Sequence, residues 1–376
     1  MNVPLIKPDL PTLDDVADRF QEILDNGRVT NFGKYVAAFE AEAGQFLGAP
    51  AVTVSSGTVG LVFSLQAVGL AKGQKVVVPS FTFMASAQAI LYAGGVPVFA
   101  EVGEDLTLCP DDLAVLLEQH PNVGGVLATH AYGLPCKVDA IQQVVDEYAR
   151  RRSSPIFVVY DAAHAFGSAA AGRRVGGFGD AEAFSLSVTK MLVSIEGGMV
   201  ASRSPEVVER IRRMRNYGIE ANYNSHWPGM NGKMSELHAI VGLHNLRRLD
   251  ELVATRQRKA RYFLDRIRKE TAFETLPWPD GVVHTFKDFT VLVSEEKICF
   301  RDDVMAFARD RGVETRAYFY PPVHEQRLFQ PYADRGLDWT EKVARRVITL
   351  PFYTTITEAE MDYVVETLRL AQERWV

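Results

Sequence analysis

The sequence predicts an α/β protein, a mostly parallel sheet wrapped by helices, with a smaller α/β layer toward the C-terminus. Between residues 51 and 163 five short apolar runs recur: AVTVS (51–55), KVVVPS (75–80), VPVFAEV (96–102), VGGVLATHA (123–131) and IFVVYDAA (156–163). They are apolar throughout rather than alternating, as expected of strands covered on both faces. The segments between them are long enough for the crossover helices that parallel neighbours require. A chain of 376 residues is also long enough for two cores at roughly 150 residues per domain.

The remaining elements follow in order. AEAFSLS (181–187) and GGMVASR (197–203) are separated by a loop too short for a crossover and are expected to add an antiparallel pair or edge. The stretch 235–267 keeps Leu237, Ile240, Val241, His244, Leu246, Leu249 and Leu252 near helical spacing, giving one long helix or two in sequence. Composition shifts at ETLPWPDG (274–281), after which HTFKDFTVLV (284–293), ETRAYFY (314–320) and VITLPF (347–352) read as strands among helical segments. The expected division is a large domain over 1–250 and a small one over 251–376.

Composition excludes several function classes. With 47% apolar and 23% charged residues and a formal charge of −6, the chain is an ordinary globular one without the basic footprint of a nucleic-acid or anionic-membrane binder. Cys109, Cys136 and Cys299 are odd in number and contain no C-x-x-C, which fits a reducing compartment and no thiolate metal site. The N-terminus lacks the order of a signal peptide, and no apolar stretch approaches the roughly 20 residues that span a bilayer. The expected location is the cytoplasm, with neither nucleic acid nor membrane as partner.

Common motifs are absent too. GMNGKMSE (229–236) lacks the spacing and hydroxyl residue of a Walker loop, and GRRVGGFGD (172–180) does not fit the dinucleotide fingerprint. VHEQRL (323–328) has no second histidine for zinc, and Ser55-Ser56-Gly57 lacks the glycine that precedes a nucleophile elbow.

What remains is a constellation around Lys190. Between Glu182 and Glu196 it is the only charge in AFSLSVTKMLVSI, thirteen residues otherwise apolar or small. A desolvated lysine loses affinity for its proton and becomes a neutral amine able to form a Schiff base with a carbonyl. The competing reading is a lysine that snorkels to the surface. Asp161 ends the run IFVVYD at the carboxyl edge of the expected sheet, where open α/β folds place ligands. His164 follows three residues later, a core histidine if taken alone. Ser55-Ser56-Gly57-Thr58 sits between a strand and a helical pattern, offering hydroxyls and helix-terminal amides to a phosphate, with Ser185 a further hydroxyl. Ordinary capping is the alternative for each of these taken singly.

Together these residues resemble the fold-type I pyridoxal-phosphate enzymes and, within them, the DegT/StrS-type sugar-nucleotide aminotransferases. The resemblance runs through RVTNFGKYVAAFEAEAGQFLG (28–48), VSSGT (54–58), PSFTFMASAQAILYAGGVPVF (79–99), HAYGLPCKVD (130–139), YDAAHAFGS (160–168), FSLSVTKMLVSIEGGMV (184–200), GMNGKMSELHAIVGL (229–243) and YFYPPVH (318–324). It implies a seven-stranded large-domain sheet and pyridoxal 5'-phosphate as cofactor. By position, Lys190 matches the lysine bonded to the cofactor, Asp161 the partner of its ring nitrogen and His164 the Gln/His that contacts its ring oxygen. Phe83 matches the stacked aromatic, and Gly57, Thr58 and Ser185 the phosphate ligands. Asn231 of the G-x-N motif matches the residue that reaches the cofactor of a neighbouring subunit, implying a homodimer with shared sites. No metal is implied.

The implied activity is transfer of an amino group from L-glutamate to a nucleotide-linked keto sugar. The GKM form and the early TNFG are most like the branch acting at C4 of dTDP-4-keto-6-deoxy-D-glucose, where the family often has Tyr-Arg in place of Gly232-Lys233. Alternatives are a C3-specific sugar-nucleotide or aminocyclitol aminotransferase of the same family, or a non-catalytic regulator on the same fold. Lys34, Arg215, Lys233, Arg316, Tyr320 and His324 are the candidates for holding the nucleotide diphosphate.

Overall fold

The computed structural model of the protein describes residues 1–375. The five runs become strands β1 (Ala51–Val54), β2 (Lys75–Pro79), β3 (Val96–Ala100), β4 (Val123–Thr129) and β5 (Phe157–Asp161). A small hairpin, β6 (Ala169–Ala170) and β7 (Arg173–Arg174), precedes β8 (Ala181–Ser185) and β9 (Gly198–Ala201). The main sheet has seven strands in the order β1-β9-β8-β5-β4-β2-β3. Strands β3, β2, β4, β5 and β8 pair in parallel, whereas β9 pairs antiparallel with both β8 and β1. The antiparallel expectation for 181–203 therefore holds, with β9 inside the sheet rather than at its edge.

Alternation along the strands supplies cores on both faces. Val77, Val126, Ala128, Val158 and Tyr160 join one buried cluster, and Val52, Val54, Val76, Val78, Leu127 and Val159 the other. Crossovers are made by α4 (Met84–Tyr92), α5 (Pro110–Gln119) and α6 (Val138–Arg152). Helix α3 (Gly57–Ala67), which follows β1, is buried along most of its surface. A Cβ at Gly60 would come within 3.2 Å of Val200 and 3.4 Å of Val54, so this small residue lets the helix lie close on the sheet.

The stretch 235–267 resolves into two helices, α8 (Glu236–Leu246) and α9 (Leu249–Glu270). Asn245 pins the end of α8 by donating to the carbonyls of Val193 at 2.8 Å and Asp9 at 3.0 Å. After the exposed hairpin β10 (Ile219–Ala221) and β11 (Asn224–Ser225), a three-stranded sheet is formed by β12 (Glu274–Thr275), β13 (Phe289–Leu292) and β14 (Val347–Leu350). The run 314–320 is not a strand: Arg316 alone bridges to Thr349, and the segment then turns inward to present Tyr318 and Phe319. The N-terminus joins this second layer. Val3 exchanges backbone hydrogen bonds with Gly312 and Glu314, and its side chain is fully buried in the C-terminal cluster.

Candidate active site

Where the parallel strands of the main sheet end, their last residues surround a cavity of about 420 Å³. Thr129 closes β4, Asp161 closes β5 and Ser185 closes β8, while the chain leaves β1 through Ser56 and β2 through Thr82 and Phe83. Parallel pairing brings residues distant in sequence to one edge. The second layer supplies the facing wall with Lys287, Asp288, Tyr318 and Phe319, and Ile6 comes from the N-terminal segment.

Asp161 is 5% exposed and fixed on both oxygens. Oδ2 accepts from Ser86 Oγ at 2.7 Å and Oδ1 from the amide of Ala163 at 3.0 Å. Thr82 Oγ1 continues this chain of hydroxyls to Ser86 at 2.9 Å and Thr129 at 3.1 Å. The carboxylate is thus held still at the cavity floor.

Lys190 sits in the loop between β8 and β9, which folds back on itself through Lys190 N–H to Ser187 O, Ser194 N–H to Leu186 O and Leu186 N–H to Gly197 O. Its amine lines the cavity, where desolvation, reinforced by the nearby Lys287 cation and opposed by Asp288, Asp161 and Glu196, lowers its pKa from 10.5 to about 8. At pH 7.5 that raises the free-amine fraction from about 0.1% to roughly a quarter. The amine is therefore available as a nucleophile and as a proton carrier.

Beside it the start of α3 is built for an anion. The Ser56 hydroxyl caps Val59 N–H at 3.2 Å, leaving the amides of Gly57 and Thr58 ahead of the first helical hydrogen bonds. A Cβ at Gly57 would come within 2.8 Å of the Ser185 Cβ, so a side chain there would close the gap between helix and strand. Phe83 is 53% exposed, with its ring 6.3 Å from that of Phe319. His164 is buried in the wall and stacks on Phe319 at 6.2 Å. Burial, together with Lys190 and Lys287, holds its imidazole well below the usual histidine range, so it is neutral at pH 7.

The structure thus brings Gly57, Thr58, Phe83, Asp161, His164, Ser185 and Lys190 to one cavity and leaves Asn231 out of it. Asn231 is exposed, bridging to Asn216 next to the β10–β11 hairpin.

The diphosphate candidates do not line this cavity. Arg215 is buried against Glu40 and Thr53, Lys34 pairs with Glu22, and Arg316 pairs with Glu314 at 2.7 Å. Lys233 meets Asn216 at 3.4 Å, and Tyr320 lies beneath the Arg301 guanidinium at 4.4 Å. His324 is taken by Ser80 Oγ at 2.6 Å and by Glu341 at 3.3 Å. Together with Glu325 and Glu341 it could supply metal ligands within 4.8 Å of one another, but Arg345 lies 3.6 and 3.7 Å from the two carboxylates and already offsets one of their charges. Sequence reasoning missed Lys287 and Asp288; the signal was a charged pair in the middle of the apolar run HTFKDFTVLV.

The residues fit the cofactor that the resemblance implies. A fixed carboxylate suits a protonated ring nitrogen, free amides and hydroxyls at a helix start suit a phosphate, and a desolvated amine suits an aldehyde. The volume is within the range of small-molecule sites.

Residues 13–369 match the DegT/DnrJ/EryC1/StrS aminotransferase family. The chain is 34% identical to the "Erythromycin biosynthesis sensory transduction protein EryC1" of Saccharopolyspora erythraea, with 98% of this chain and 99% of that protein covered. It is 29% identical to a GDP-perosamine synthase of Vibrio cholerae, over 96% of this chain and 97% of the relative. The crystal structure of DesI in the presence of its TDP-sugar product is similar at a TM-score of 0.91 and 31% identity, covering 100% of this chain and 94% of that one.

Proposed function

This chain belongs to the DegT/DnrJ/EryC1/StrS aminotransferase family, a pyridoxal-phosphate-dependent sugar aminotransferase, and from that premise we propose that it moves the amino group of L-glutamate to C4 of dTDP-4-keto-6-deoxy-D-glucose. The observation that carries the reading is the placement of Lys190, a desolvated amine in the same cavity as a fixed carboxylate and an open helix N-terminus.

The roles of the residues follow from their chemistry. The free amides of α3, with Thr58 and Ser185, would hold the phosphate, and Asn231 from a second copy of the chain would complete its ligands in a homodimer. Asp161 would keep a proton on the ring nitrogen, Phe83 would pack against the ring, and His164 would contact the ring oxygen. When bound, pyridoxal phosphate supplies an electron sink for the pair left at a carbon that loses its proton. Lys190 is placed to take the proton from the α-carbon of glutamate and, in the second half-reaction, to give one to C4 of the sugar; the amino group would pass between the two on the bound cofactor, water releasing 2-oxoglutarate. Ile6, Leu61 and Phe319 line the cavity with apolar surface that limits water near the transferred proton.

The division at residue 250 belongs to the same proposal, the larger part binding the cofactor and the smaller closing over it with Lys287, Asp288 and Phe319. A cytoplasmic location is supported by three free cysteines. Among the described residues no helix is long and apolar enough to cross a membrane.

The test is an assay of nucleotide-linked 3-keto and 4-keto sugars with glutamate, following 2-oxoglutarate and determining the product by NMR. An amino group at C4 of the dTDP sugar is expected. Amination at C3, or no 2-oxoglutarate with any acceptor, would overturn the assignment.

A further inference from the structure

His164 and Asp288 face each other across an unfilled contact. Asp288 is 4% exposed; its Oδ1 accepts from Lys287 Nζ at 2.7 Å, and its Oδ2 is sealed from solvent with no partner. His164 Nδ1 is likewise sealed without a partner, 3.8 Å from that oxygen. Leaving a carboxylate oxygen and an imidazole nitrogen both unpaired in a buried wall is costly, and the groups are near enough to relieve each other with a small shift. Hydrogen bonds at active sites are often long before a ligand is bound and tighten afterward.

The backbone around the pair is rigid. His164 O accepts from Thr285 Oγ1 at 2.8 Å, and Lys287 N–H donates to Tyr132 O at 2.9 Å. Arg256 donates to the carbonyls of Thr285 at 3.1 Å and Lys287 at 3.3 Å. The segment carrying Asp288 is therefore tied both to the residue it faces and to α9.

We propose that Asp288, clamped by Lys287, is a positioning residue that sets the tautomer of His164: its free oxygen accepts from Nδ1–H and leaves Nε2 as a bare acceptor on the side of the cavity. A histidine nitrogen that works on a ligand is commonly oriented in this way, through the hydrogen bond its other nitrogen makes to a carboxylate. Of the other charged groups in the cavity, the cations Lys190 and Lys287 act on His164, and the carboxylates Asp161 and Glu196 line the same cavity. The two cations disfavour imidazolium, so the ring remains neutral and the choice of tautomer carries the information.

The proposal rests on the reading that His164 meets the cofactor, yet its first test needs no cofactor. Two-bond ¹H–¹⁵N correlation on histidine-labelled protein, with His164 assigned by its loss in His164→Gln, reports both ring nitrogens. The wild type is expected to show protonated Nδ1 and bare Nε2 from pH 6 to 9. Asp288→Asn must give its single oxygen to Lys287 Nζ and so turns its NH2 toward Nδ1; like Asp288→Leu, it moves His164 toward the Nε2–H form. Protonated Nε2 in the wild type, or an unchanged spectrum in Asp288→Leu, overturns the proposal. With pyridoxal phosphate bound, Asp288→Leu is expected to shift the pH midpoint of cofactor absorbance by about one unit, and to shift nothing further in a His164→Gln background. An equal shift in both backgrounds shows that Asp288 does not act through His164. Absence of any cofactor absorbance would count against the functional reading and leave the tautomer result standing.

Discussion

His130, at the cavity floor, and Glu182 lie 3.2 Å apart, while His164 and Asp288 lie 3.8 Å apart in the cavity wall. Both are buried histidine–carboxylate pairs, and they are finished differently. Glu182 accepts from His130 Nε2 and, on its other oxygen, from the amides of Gly176 and Phe178. His130 accepts from the Cys136 amide at 2.9 Å and stacks on Tyr160 at 5.0 Å. Every polar atom of that pair has a partner, so it braces the end of β4 against β8 and has nothing left to offer. The second pair leaves one atom unmatched on each side, sealed from solvent beside an amine made reactive by the same desolvation. A completed polar pair holds a fold together, whereas one still short of contact can close on itself and leave its outer nitrogen to a ligand.

Substitutions can break that contrast. The largest effect is expected at the open site: Lys190→Ala should lower turnover by about 10⁴-fold or more while the protein still melts as a folded chain. Steady-state assays beside thermal melts would show it, and substantial residual turnover would remove Lys190 from the chemistry. Next comes the closed site, where Glu182→Ala strands His130 and two backbone amides. Urea unfolding should register a loss of about 3–5 kcal/mol. His164→Gln, which removes a ring nitrogen that has no partner to lose, is expected to cost less than about 1 kcal/mol by the same measurement. Equal losses would erase the distinction.

A third effect depends on pH. The folded-state pKa of Lys190 is about 8 against 10.5 when unfolded, so between those values the unfolded chain binds more protons and stability rises with pH. Below pH 8 the full penalty of the buried cation is present; above 10.5 it is gone. Lys190→Met should therefore stabilise the cofactor-free protein by up to about 3 kcal/mol near pH 7, with the gain fading toward pH 10.5. A pH-independent difference in unfolding free energy would contradict this. The smallest effect is expected at Asn231→Ala, which in the proposed dimer would remove one hydrogen bond to the phosphate and should weaken cofactor affinity roughly tenfold. Fluorescence titration would measure it, and unchanged affinity would count against a shared site.

Much of this was legible in the sequence because strand ends are. Continuous apolar runs located β1 to β5, and Asp161 at the end of the fifth marked the cavity edge. The isolation of Lys190 among apolar neighbours foretold the desolvation found around it. Lys287 and Asp288 were not read from the sequence because a charged dipeptide in a strand-like run looks like an edge exposed to water. Only the packing of the second layer over the first buries it. The same limit applied to cations: Arg215 looked free for an anion, but Glu40, 175 residues away, already holds it. ETRAYFY has strand propensity, yet its backbone pairs only at Arg316, and the remainder turns to deliver Phe319 to the cavity.

The account depends most on Lys190 as the covalent anchor of the cofactor. Protein purified with pyridoxal phosphate, reduced with borohydride and digested should yield a cofactor adduct on the peptide carrying Lys190 and on no other lysine. An adduct on Lys287 instead, or none on any peptide, would contradict it.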